Sequence, residues 1–315
     1  MKIKLIALLA AAMFLLSACS SNGEEEKVKI GLLRIDDSIP FFVAQQEVLF
    51  NDLGIEVELV SFSSSSDQSL AMEAGELDLA MNDMIVQCLM KKNGTDTKAV
   101  ALAYGAVPEE GRFLVVAAPN SGINTPQDLS GKNVGISTNT MMDFLFENFE
   151  DIYNLPSEEI NKVNMPNLSL RLEAVLSGSD LQAAILPDPL AAYALEKGCS
   201  VVIDDTALGV NLSQSVVLAT DEFISENEET LNKILQAYNQ AKELLNENPE
   251  KYRSLCLEIA NVPDELTASY PYPRYTTNVL PEKEYVGRVV EWLNSRDLLS
   301  ETYTYEDLVW GDNLE

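Results

Sequence analysis

The residues equipped for chemistry in this sequence are aspartates, serines and amides placed where short apolar runs end. Asp36, Asp37, Ser38, Pro40 and Phe41 follow the run 28–33, and Asn82 and Asp83 follow 77–81. Ser137, Thr138, Asn139 and Thr140 follow 133–136, and Pro187 and Asp188 follow 180–186. Ser61 opens a serine-rich stretch that runs to Asp67. An ionised carboxylate only accepts hydrogen bonds, whereas a hydroxyl both gives and takes them. Each aspartate therefore suits a helix cap, an acceptor for a ligand, or both through different oxygens. The stretch Ser137–Thr140 suits a polar or anionic ligand group, because a helix start presents backbone N–H donors at the positive end of its dipole. For Ser61 and its neighbours, a solvated turn is the alternative to a donor loop. A buried carboxylate without a donor is costly. A site holding several of them favours a ligand with a hydrogen-bond-donating or cationic nitrogen, with Arg34 and Arg112 as the bases at hand.

Catalytic machinery is not expected. The chain has no histidine, which removes Ser–His, Cys–His and histidine–metal chemistry together. No dinucleotide fingerprint or nucleophile elbow occurs, and Gly131-Lys132 runs into Asn133 rather than Ser or Thr. No cofactor and no metal site follow from the pattern. Cys88, Cys199 and Cys256 stand far apart without C-x-x-C spacing. They read as buried small apolar residues, with a Cys88–Cys256 bridge as the alternative.

These residues need a scaffold of strands and helices in alternation. Residues 28–33 read as a buried strand, a helix with Pro40 in its first turn runs to about Asp52, and Ile55–Val60 alternates like a strand with one wetter face. That strand–helix–strand unit predicts a right-handed crossover onto a parallel sheet. In such sheets ligands bind outside the carboxyl ends of the strands, which is where the aspartates lie. Further strands are expected at 77–81, 98–104, 133–136, 162–165, 180–186 and 201–204, with helices at 68–74, 84–92, 141–153, 168–176 and 190–197. The segment 71–80 is echoed by 174–183, which predicts two similar α/β lobes. The apolar runs 112–118 and 213–220 read as two hinge strands. The fold class is therefore α/β, with 28–112 and 214–315 forming one lobe and 113–213 the other. The remainder is helical and expected to pack on lobe 1: a capping box at Ser225–Glu228, then helices near 252–260 and 282–294. The loop Tyr270–Tyr275 is either a cleft wall or packing.

The first residues belong to export rather than to the fold. Lys2 and Lys4 precede an apolar run, 6–16, too short to span a bilayer comfortably. Leu16-Ser17-Ala18-Cys19 resembles the bacterial lipobox, which implies cleavage after residue 18 and lipidation of Cys19. Residues 19–27 then form a polar tether. The formal net charge is −29. Residues 1–18 hold two lysines and no acid, so the exported body would stand near −31. Such a field disfavours nucleic acid and anionic lipid as partners.

Lipobox, tether and two lobes together resemble an extracytoplasmic solute-binding protein of an ABC importer. The segments 30–44, 74–78, 128–136 and 186–191 are similar to hallmarks of the nitrate/sulfonate/taurine-type binding proteins, a group that includes thiamine-pyrimidine-precursor binders. The resemblance spans roughly residues 28–310. It implies a type II periplasmic-binding-protein fold, a small-molecule ligand in the interlobe cleft, permease and ATPase subunits as partners, and membrane association through the lipid anchor alone. A monomer is expected. The loop Asp36–Pro40, the caps Asn82–Asp83 and Ser137–Thr140, and Pro187–Asp188 are the positions carried over. Sulfonate or nitrate clefts would favour basic residues, so these acidic loops depart from that pattern and point to an amine-bearing or neutral heteroaromatic solute. A surface sensor or adhesion lipoprotein, and an enzyme of pyrimidine biosynthesis on the same scaffold, are the rival readings.

Overall fold

The computed structural model describes residues 27–209, 211–259, 262, 270 and 272–311. The signal segment, Cys19 and nearly all of the tether lie outside them. The chain opens with β1 (Val28–Leu33), α1 (Ile39–Gln46), α2 (Leu49–Asp52), β2 (Val57–Phe62), α3 (Ser65–Glu73), β3 (Leu79–Asp83), α4 (Met84–Lys92) and β4 (Thr97–Tyr104). There follow β5 (Phe113–Ala117), β6 (Asn133–Ile136), α5 (Met141–Tyr153), β7 (Asn161–Asn164), α6 (Leu168–Ser177), β8 (Ala183–Pro187), α7 (Leu190–Glu196) and β9 (Ser200–Asp204). The last part comprises β10 (Ser215–Thr220), α8 (Asp221–Glu247), α9 (Pro249–Ile259), α10 (Lys283–Ser295) and α11 (Tyr305–Leu308).

Two sheets of five strands result, ordered β2-β1-β3-β10-β4 and β7-β6-β8-β5-β9. In the first, β1 is parallel to β2 and β3, while β10 runs antiparallel between β3 and β4. In the second, β6 is parallel to β7 and β8, while β5 runs antiparallel between β8 and β9. The sheets are topological copies, and in each the antiparallel strand directly follows a passage between the two halves. β5 and β10 are thus interior strands of their own sheets, not the crossings that their apolar runs led us to expect. The chain passes between the sheets at 105–112 and 205–214. These passages touch: a Cβ on Gly105 (φ +86°) would fall 2.5 Å from the Ser213 carbonyl oxygen, so only glycine fits.

The helix after Pro40 does not run unbroken to Asp52. Val48 takes a left-handed conformation (φ 54°) and divides α1 from α2. The expected capping box at Ser225 is not formed either. Thr220 caps α8, accepting from the Phe223 N–H, and Asn227 interrupts that helix with non-helical backbone angles. Thr125 and Asp128 form a capping box at the turn Pro126–Leu129.

One apolar cluster packs α1, α8 and α9 on the first sheet, burying Phe41, Tyr238 and Tyr252. Another packs α6 and α7 on the second, around Val175 and Leu186. A third runs across both halves, joining Ile85 and Met90 of α4, Phe144 and Phe149 of α5, and Tyr285 and Val289 of α10. Phe144 meets Tyr285 and Trp292 edge-on, with ring centroids 6.3 and 5.5 Å apart. The C-terminal helices therefore cover the first sheet, and α10 also reaches the second half.

Cys88, Cys199 and Cys256 are buried and free, so the Cys88–Cys256 bridge is not made. Burial pushes the Cys88 thiol up to about 12, as suits an inert apolar role.

Candidate functional site

The carboxyl ends of β1 and β3 face those of β6 and β8, the position where open α/β sheets place ligands. The two halves meet there around two small chambers. One, of about 40 Å³, is lined from the first half by Leu33, Ile35, Asp37, Asn82, Asp83 and Ser215. Ser137, Thr140, Met141 and Met142 face it from the second half. The other, of about 20 Å³, lies between Asp36, Asp37, Tyr104, Arg112, Pro187 and Asp188. Ile35, Asp37 and Phe113 belong to both walls. A groove of about 770 Å³ lies elsewhere, between β4, α8 and Trp310. It is larger, but none of its wall residues carries a buried polar atom without a partner. The cleft does, so the cleft is the better candidate.

Asp37 is the clearest case. It is 8% exposed, and its Oδ1 has no hydrogen-bond partner. Burial pushes its carboxyl up to about 7, against the opposing pull of the Ser215 hydroxyl and nearby backbone N–H groups. Ser38 Oγ and Ser215 Oγ beside it are also outside hydrogen-bond geometry with any partner, so the Ser215 hydroxyl bears on Asp37 without completing a bond to it. Asp36 is held from behind. Its carboxylate accepts from the Tyr270 hydroxyl, and its backbone carbonyl from the Tyr275 hydroxyl at 2.7 Å. Burial raises Asp36 to about 8; the Tyr270 hydroxyl opposes this, and the Asp188 and Asp37 charges add to it. Neither Tyr270 nor Tyr275 is among the residues lining these two chambers; Tyr270 packs with Val262 against Ala192 and Tyr193 of the second half.

Asp83 joins the halves. Its Oδ1 accepts from the Val86 N–H (2.8 Å) in the first turn of α4, and its Oδ2 from the Met141 N–H (3.0 Å) at the start of α5. One carboxylate thus sits between two helix N-termini, where two positive dipole ends favour negative charge. Burial nevertheless raises it to about 6, with those N–H donors opposing. Asn82 lines the same wall, accepts from the Asp83 N–H, and donates to Gln68 Oε1 at 2.7 Å.

The reading of Ser137–Thr140 as open N–H donors needs correction. Thr138 N–H donates to Asn164 Oδ1, Asn139 N–H to Asp143 Oδ2, Met141 N–H to Asp83 and Met142 N–H to Thr140 Oγ1. The helix start is already satisfied by the chain's own side chains. Ser137 and Thr140 line the larger chamber, whereas Thr138 is exposed and neither it nor Asn139 reaches either wall. Pro187 and Asp188 line the smaller one, but Asp188 is engaged. Arg112 holds it bidentately at 2.7 and 3.0 Å, and it also accepts from the Ala192 N–H.

Four further expected positions are absent from both walls, Ser38 among them. Phe41 is fully buried and stacks on Tyr238, centroids 4.3 Å apart. Pro40 is buried within α1, and Ser61 is exposed on β2, leaving Ser65 as the wall residue of that stretch. Arg34 is exposed and donates to the Glu258 carbonyl, away from the cleft.

Sequence reasoning missed a pair of long polar side chains beneath the cleft floor. Gly31 of β1 and Gly135 of β6 occupy equivalent strands. Gln68 lies over Gly31 and Arg171 over Gly135, with their Cγ atoms each 3.2 Å from where a Cβ would stand. Leu77 and Leu181 close the other side of each glycine. The echo between the halves held the signal just outside its bounds: at its offset of 103 residues Gln68 falls opposite Arg171, while Leu77 falls opposite Asp180, one place short of Leu181.

Residues 36–252 match the NMT1/THI5-like family. The chain belongs to that family. An ABC transporter periplasmic binding protein of Brachyspira hyodysenteriae is 22% identical over 263 residues, 76% of this chain and 73% of its own. The arginine-binding extracellular protein ArtP of Bacillus subtilis is 25% identical over 223 residues, 62% of this chain and 84% of its own. The periplasmic aliphatic sulphonate-binding protein SsuA of Escherichia coli superposes with a TM-score of 0.74. That superposition covers 91% of this chain and 98% of SsuA at 20% identity. The two-sheet architecture is thus the periplasmic-binding-protein fold.

Proposed function

We propose that this member of the NMT1/THI5-like family is the extracytoplasmic solute-binding component of an ABC importer. It captures a small, nitrogen-bearing solute between its lobes and presents it to permease and ATPase subunits, held at the membrane by lipid on Cys19. The observation that carries the ligand class is Asp37 Oδ1, buried without a partner where the two chambers meet. A carboxylate there lacks a donor that an ammonium, guanidinium or aminopyrimidine nitrogen would supply. Asp83 argues the same way from the opposite side. Its carboxylate already occupies the α5 N-terminus, where a bare sulfonate or nitrate would otherwise be drawn. Both chambers, at about 40 and 20 Å³, are far smaller than the roughly 300–1,000 Å³ of a small-molecule pocket, so entry of a solute requires the lobes to part and re-close around it. Among the described residues no helix is long and apolar enough to cross a membrane.

The test is a thermal-shift screen of nitrate, alkanesulfonates, taurine, arginine, aminopyrimidines and polyamines, with calorimetry on the hits. The expected result is a nitrogen-donor ligand whose affinity falls about tenfold or more in Asp37→Asn, the loss of a charged hydrogen bond. A simple anion as best ligand, bound equally well by Asp37→Asn, would end this reading.

A further inference from the structure

Arg171 is an expensive residue to place where it is. It is 0% exposed, yet among the described residues no carboxylate lies within ion-pair distance of it. Its guanidinium donates to the Met165 carbonyl at 3.1 Å and to the thioether sulfur of Met142 at 2.8 Å, and its Nε has no partner. A thioether is a weak acceptor. A buried charge normally has a counter-ion and a full set of acceptors, and this one has neither. Structural support does not account for the charge, since the neutral Gln68 fills the equivalent place in the other lobe, accepting from the Asn82 side-chain amide with its own Nε2 unpartnered.

Its position gives the reason. Met142 and Pro166 are wall residues of the larger chamber, and Arg171 bonds to Met142 and to the carbonyl just before Pro166. The guanidinium is one side chain removed from the cleft, behind a flexible methionine. The charges of the cleft are also divided by lobe. Asp36, Asp37 and Asp83 belong to the first, Arg171 to the second, and Arg112 and Asp188 neutralise each other.

We infer that Arg171 is a specificity residue that reads an acidic group on the solute, with Met142 as the side chain displaced to admit it. The solute is then a zwitterion, its cationic nitrogen on Asp37 of the first lobe and its carboxylate, sulfonate or phosphate on Arg171 of the second. A planar guanidinium matches such oxyanions with paired hydrogen bonds. Because the two ends belong to different lobes, a molecule carrying both groups bridges them, and one carrying a single group does not. This rests on the solute-binding reading above and adds the acid to it.

The experiment uses the whole protein and probe pairs that differ only in the acid: L-arginine and agmatine, taurine and ethylamine, 4-aminobutyrate and propylamine. Thermal shift and calorimetry read each pair on wild type, Arg171→Met, Arg171→Lys and Met142→Ala. The expected result is a preference of about tenfold or more for the acid-bearing member in at least one pair. Arg171→Met should reduce that preference to about threefold or less, Arg171→Lys should keep part of it, and Met142→Ala should keep it or increase it. Should Arg171→Met not fold, the Lys and Ala variants carry the same comparison. A preference that survives in Arg171→Met, or that vanishes in Met142→Ala, overturns the inference. Wild type binding both members equally, with both lost in Asp37→Asn, removes the role of Arg171 and leaves the cationic reading standing. A wild type that no probe stabilises removes both.

Discussion

Asp37 shows how a single side chain couples folding to ligand and to pH. Its carboxyl is raised from 3.8 to about 7 by burial, and Asp36, Asp83 and Asp205 are raised in the same direction by the same cause. An acid whose folded value is raised contributes stability that is complete below its unfolded value and is lost as pH rises through the folded one. The ligand-free protein should therefore lose stability between pH 5 and pH 7. Lys242 works in the opposite sense but outside that window. Burial lowers it from 10.5 to about 7, so its contribution is complete above the unfolded value, is lost as pH falls from there to about 7, and does not change further below that. Melting temperature measured at pH 5, 6 and 7 should fall by several degrees in wild type and by clearly less in Asp37→Asn. A flat wild-type profile would mean that the carboxyls are not buried as described. The Asp37 position was readable from the sequence as a strand end. Its lack of a partner was not, because that depends on Ser215, 178 positions further along, and on a second lobe closing over it.

At the scale of elements, the start of α5 is the junction on which the cleft depends. Thr140 caps it, Asp83 reaches its first N–H from the other lobe, and Asp143 in its first turn accepts from Asn139 N–H and from Arg296 at 3.1 Å. Arg296 follows α10, so the C-terminal segment helps to fix the wall that carries Met141 and Met142. Replacing Arg296 by Ala would leave a nearly buried carboxylate without its charged donor, at a cost of about 1–3 kcal/mol. Chemical denaturation should show that loss, while Lys283→Ala, whose ion pair with Glu306 is exposed on both sides, should change stability by less than about 0.5 kcal/mol. Equal effects from both would remove Arg296 from this role. The helix bounds at 84–92 and 141–153 were legible to the residue, because Asp83 and Thr140 are local caps. The break at Val48 was not, because no glycine or proline marks it.

For the whole molecule, two topologically equal lobes joined by adjacent passages predict motion about residues 105–112 and 205–214. The cluster that α10 builds with α4 and α5 lies on one side of the cleft and would act as its pivot. In X-ray scattering the radius of gyration should fall when the best ligand of the screen is added at saturation. In Asp83→Ala, which removes the shared cap, the ligand-free value should exceed that of wild type. Unchanged curves in both experiments would count against closure. The lipid anchor proposed at Cys19 is a property of the whole molecule too. Cys19→Ala should move the protein from the membrane fraction to the soluble fraction, and retention at the membrane would reject lipidation at that site.

Local pattern along the chain was enough for the alternation of strands and helices, the doubling of the α/β pattern and the clustering of acids at strand ends. Apolar periodicity, caps and glycines are local signals, each complete within about ten residues. The packing of the two lobes against each other set which of those acids is a cap, which is paired and which is left open. Asp83 serves two helices, Asp188 is taken by Arg112, and Asp37 alone among these three keeps a buried oxygen without a donor. It also decided that Thr138 and Asn139 miss the cleft while Arg171 lies under it. Hydrogen-bond satisfaction and burial are sums over neighbours from both lobes, so no stretch of sequence contains them.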